Sequence, residues 1–135
     1  MCIRDRFWVN KQADTFPPVI AEKARAAASA HGDMFKTALK VGVPIAFGTD
    51  TGVSPHGMNA KEFGLLVELG MQPAAALTAG TRESAKLLGI DADVGTLEAG
   101  KFADIVAVPG NALNDVTATE RPKLVMKRGK IVVNK

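Results

Sequence analysis

Asp50 and His56 are the residues whose type and placement best suit chemistry. Asp50 follows the short apolar run Val43–Phe47, and His56 stands six residues further along a loop rich in glycine and proline, Gly48 to Gly57. A carboxylate just past the carboxyl end of a buried strand projects into the crevice where α/β barrels and open sheets hold their ligands. There it can ligate a divalent metal and take a proton from a metal-bound water. The ordinary alternative is an aspartate that closes the turn through Thr51 and Gly52 by bonding its own backbone. His56 can ligate metal, shuttle protons or orient a substrate carboxylate or carbonyl; as a plain polar loop residue it would do none of these. Thr49 and Thr51 flank Asp50 and can orient it as hydrogen-bond donors. His31 lies beside Gly32 on the far side of the strand, where a capping or solvated role suits it.

These groups do not complete a site. A catalytic zinc takes about three protein ligands plus water, and the chain offers only His31, His56 and its carboxylates. It contains neither an H-x-H nor an H-E-x-x-H pair, and Cys2 is its single cysteine. Ser54, His56 and Asp50 make a nucleophilic triad on paper, but they crowd one short loop and lack the G-x-S-x-G elbow. A phosphate-cradling G-x-x-x-x-G-K-[ST] is missing too. Taken alone, the chain is not expected to assemble a complete hydrolytic centre.

The elements that must position these residues follow from pattern. Pro17 and Pro18 open a helix, because proline is tolerated where the first-turn amide has no partner. Apolar residues at Ile20, Ala24, Ala27, Ala28, Met34, Phe35, Ala38 and Leu39 carry it to about Val41. Gly32 is expected to break it in two, and Gly42 to end it. Val43–Phe47 reads as a strand buried on both faces, as in a parallel sheet. Asn59 caps a helix to Leu69, with Phe63, Leu66, Val67 and Leu69 for the core, and Gly70 closes it. Pro73 opens another to Ala79, and Thr81 caps a third over Arg82–Leu88 that Gly89 stops. Strands are then expected at Val94–Leu97, Ala103–Val108, Leu124–Lys127 and Lys130–Val133, with a tight turn at Arg128–Gly129. One parallel strand cannot make a sheet by itself, so the chain reads as the end of something larger.

Composition narrows the class. The chain has 135 residues, 47% of them hydrophobic and 23% charged, which excludes wholesale disorder. A single cysteine excludes a disulfide scaffold. No apolar run approaches the ~20 residues of a membrane span. The net charge of +3 is scattered rather than clustered, so a nucleic-acid partner is not expected. Residues 1–6, Met-Cys-Ile-Arg-Asp-Arg, lack the apolar stretch of a signal peptide. They resemble a translated sequencing-adapter read-through, so they are expected to be non-native, with the true frame continuing upstream.

The ordered series Gly42–Asp50, Thr51–Gly57, Asn59–Phe63, Leu66–Pro73, Ala76–Thr81, Ala85–Gly89 and Val94–Val108 resembles the end of the metal-dependent amidohydrolases. It is most similar to their imidazolonepropionase-like and Xaa-Pro dipeptidase (prolidase) branch. The resemblance covers about Ala21 to Val133 and implies an α/β fold. It further implies the C-terminal part of a (β/α)8 barrel, last strand and trailing helices, plus part of a small β-sandwich. On that plan residues 7–90 end the barrel and residues 91–135 enter the sandwich. Asp50 takes the place of the last-strand aspartate, which ligates a divalent metal, zinc by the resemblance, activates water and later protonates the leaving nitrogen. His56 matches the branch's P-H-G and is carried over as a substrate-binding residue. The implied reaction is hydrolysis of a C–N bond in an amide, a cyclic amide or an Xaa-Pro dipeptide. The partner is then a small-molecule or dipeptide substrate, and homo-oligomerisation of the complete protein stays open. The family's first-strand H-x-H, its mid-barrel lysine or glutamate and its two further histidines have no counterparts here. The isolated chain is therefore expected to be inactive, and prone to aggregate through the bare edges of the strand at Ile45. Two alternatives stand beside this reading: a ring deaminase, and a non-enzymatic short protein that binds through a sheet edge or completes a partner's barrel.

Overall fold

The computed structural model describes residues 15–49, 51 and 56–135. They divide into two compact units: one holds the described residues up to Val43 together with those of Gly48–Met71, the other Pro44–Phe47 and Gln72–Lys135.

In the first unit, helix α1 spans Pro18–Lys40 with proline in its first turn. Its buried positions Ala21, Ala28, Gly32 and Phe35 recur at steps of seven, four and three, which line one face of a 3.6-residue helix. The expected break at Gly32 does not occur. Gly32 lies on that buried stripe, and a mid-helix glycine costs only about 1 kcal/mol against alanine, which a 23-residue helix absorbs. The helix ends as anticipated at Gly42, whose φ is +76°. Val43 N–H donates to Ala38 O at 3.0 Å and Gly42 N–H to Leu39 O at 3.2 Å, the paired bonds that satisfy the last free carbonyls. Helix α2 spans Lys61–Glu68 and buries Leu66 and Glu62; Leu69 and Met71 are buried just beyond it. Asn59 does not cap this helix: the N-cap is Ala60, with no side-chain cap bond.

The second unit opens with the apolar stretch Pro44–Phe47. It was expected as a strand, yet it joins no ladder among the described residues. A parallel strand needs parallel neighbours, and the described strands pair antiparallel with one another. Phe47 is held by a helix instead. Its N–H donates to Ala79 O at 3.0 Å and lies 3.1 Å from Ser84 Oγ, which in turn lies 3.2 Å from Phe47 O. That helix runs as α3, Pro73–Thr78, a π-helical turn, Ala79–Glu83, and α4, Ser84–Leu88. The expected division at Thr81 is therefore corrected: Thr81 caps nothing and donates its hydroxyl to Leu77 O at 2.9 Å, the back-bonding a threonine makes inside a helix. Ala76, Ala79 and Ala85 from this run and Val116 and Ala118 beyond it are buried.

Val94–Leu97, also expected as a strand, joins no ladder among the described residues, and Val94, Gly95 and Thr96 form a bend. Gly95 adopts φ +94° and lies so close to the preceding helix that an added Cβ would stand 2.7 Å from Ala85 Cβ and 3.2 Å from Arg82 Cα. Lys101 Nζ ties the bend by bonding Thr96 Oγ1 at 2.6 Å and Asp91 O at 2.7 Å. Three antiparallel strands follow in the order β1 (Ile105–Ala107), β2 (Leu124–Lys127) and β3 (Lys130–Asn134). Val106 pairs with Val125 and Val125 with Val133, and an irregularity follows because Met126 pairs with Ile131. The β2–β3 turn is the anticipated one: Arg128 and Gly129 have φ +46° and +76°, the left-handed pair that suits a two-residue hairpin. Asp104 props it, accepting from Arg128 N–H at 2.7 Å and pairing with Lys127 Nζ at 2.5 Å, while the Arg128 guanidinium lies 4.9 Å from the Phe102 ring centre.

Candidate functional site

The loop that follows Phe47 is pinned by side chains. Thr49 Oγ1 lies 3.0 Å from Thr51 Oγ1, and Thr51 donates its hydroxyl to Asn59 Oδ1 at 2.8 Å. The backbone of Asn59 is held as well, because its carbonyl accepts from Glu62 N–H at 3.1 Å in the first turn of α2. The two threonines singled out as partners for Asp50 are thus joined to each other and to the start of a helix. Asp50 itself lies outside the described residues, as do Ser54 and Cys2. His56 is exposed in a turn with Gly57 and makes no hydrogen bond among the described residues. His31 is exposed near the middle of α1, in keeping with a solvated role.

Two features were not legible beforehand. Asn59 carried the signature of a helix cap, and only the fold reveals that Thr51 claims its side chain. Glu62 is 2% exposed, although a first-turn glutamate ordinarily faces solvent and the helix dipole. Its place beside Phe63, with Leu66 one turn on, was the only sequence hint.

Carboxylates with displaced titration are found elsewhere in the chain. The Lys127 ammonium and then the Arg128 N–H hold Asp104 below the usual aspartate range. Thr117 does the same to Asp115 by hydrogen bonding, and Arg82 to Glu83. These are surface ion pairs and caps. Among the described residues, no three His, Cys, Asp or Glu side chains converge to hold a metal ion, and no helix is long and apolar enough to cross a membrane.

Helices and a small antiparallel sheet in one chain define an α/β protein. The sequence model described as "Amidohydrolase family" matches residues 13–132, and the chain belongs to that family. A crystal structure of a Xaa-Pro dipeptidase superposes with a TM-score of 0.91 at 38% identity, covering 98% of this chain and 33% of that one. An ochratoxinase from Aspergillus niger is 38% identical over 105 residues, which span 76% of this chain and 22% of the enzyme. An imidazolonepropionase from Aromatoleum aromaticum is 45% identical over 68 residues, 48% of this chain and 16% of that protein. The chain therefore spans about a fifth of the curated relatives' length and a third of the solved structure.

Proposed function

We propose that this chain supplies the last third of an amidohydrolase that cleaves a C–N bond in an Xaa-Pro dipeptide or a related amide. The observation that carries the reading is the superposition on the Xaa-Pro dipeptidase along nearly the whole chain. In that frame Val43–Phe47 is the final strand of a (β/α)8 barrel, and its missing ladder reflects neighbours contributed by preceding barrel strands. The sheet β1–β3 is part of a β-sandwich. The apolar side chains exposed here, among them Leu87, Leu97, Val106 and Val132, suit burial against the remainder of such a body.

Asp50 is the residue assigned to the chemistry. As water attacks the amide carbonyl carbon, the new C–O bond forms and the carboxylate takes the water's proton. It then gives that proton to the nitrogen as the C–N bond breaks. His56, exposed on the same loop, contributes to substrate binding. The family is generally metal-dependent, and a divalent ion, zinc in this proposal, supplies Lewis acidity at the carbonyl oxygen. The described residues do not house an ion by themselves; this chain's share of such a centre is the Asp50 carboxylate.

The test is a graft in which residues 15–135 replace the matching third of the Xaa-Pro dipeptidase. Proline release from an Xaa-Pro dipeptide is expected, and Asp50→Asn is expected to lower kcat by about 10²–10⁴-fold, the range for a general acid–base group. Turnover that survives Asp50→Asn refutes the assignment. The 135-residue chain alone is expected to release no proline. The imidazolonepropionase match favours a second reading, hydrolytic opening of an imidazolone-type ring, which the same graft tests by loss of ring absorbance.

A further inference from the structure

We draw no further inference here: the strongest candidate, the apolar stripe Ile20, Ala27 and Met34 that stays exposed along helix α1 beside its buried face, carries none, because nothing in the structure shows what covers it.

Discussion

Gly95 offers the sharpest structural prediction, because two separable effects meet there. Replacing it with alanine asks an L-residue to adopt φ +94° and inserts a Cβ 2.7 Å from Ala85 Cβ. The left-handed backbone costs roughly 1–2 kcal/mol. Carbon atoms prefer separations near 3.5–4.0 Å, so the contact forces the Val94–Gly95 bend and α4 apart, an overpacking cost of about 1–3 kcal/mol. Gly95→Ala should therefore destabilise by about 2–5 kcal/mol. Gly100 separates the two effects: its φ is +93° with open space around it, so Gly100→Ala should show only the backbone part, about 1–2 kcal/mol. Urea unfolding followed by far-UV circular dichroism reads the difference as a lower midpoint at unchanged slope. A double-mutant cycle with Ala85→Gly should return a coupling of about 1 kcal/mol or more, since removing either methyl relieves the same overlap. Equal destabilisation by the two alanines, or no coupling to Ala85, would refute the claim that this bend is set by contact with the helix.

Asp104 sets an acid limb for the hairpin. Its folded-state pKa lies below the ordinary value because Lys127 and the Arg128 amide bind the carboxylate. The ionised form therefore stabilises the folded sheet above the ordinary aspartate range, and that contribution is lost as pH falls through the depressed folded value. Amide exchange in β2 and β3 should rise on acidification through that window, and Asp104→Asn should flatten the response. Phe35, 3% exposed on α1, should cost about 3–5 kcal/mol when replaced by alanine, whereas Met34→Ala, at a half-exposed neighbour, should stay within about 1 kcal/mol; unfolding midpoints compare them directly.

What the sequence disclosed divides along a physical line. Helix ends and turns are written locally, so Gly42, Gly70 and Gly89 marked their helix ends and Arg128–Gly129 marked the hairpin. Val43–Phe47 has the residues of a buried strand, but a ladder belongs to two strands, and none of the described strands pairs with it. Val94–Leu97 has strand-like residues too, and only the approach of Ala85 to Gly95 reveals a bend. Gly32 looked like a break because propensity weighs a glycine without seeing that it faces a packed surface. For the proposed site, the sequence offers Asp50, His56 and the two threonines as types at a suggestive spacing. The role of Asn59 was not legible, because a side chain at a helix start satisfies either its own helix or a distant hydroxyl, and the choice is made in three dimensions.

The π-helical turn at Ala79–Glu83 gives its helix slack. A π turn takes up one residue more than an α turn, so loss of a single residue within Ala79–Glu83 can be absorbed by a return to ordinary spacing, with Ser84 still against Phe47 and Ala85 still against Gly95. The same loss inside α1, which is α-helical throughout, would instead rotate every later position of that helix by about 100°. The helix with the wide turn is thus the one that tolerates an in-frame codon loss.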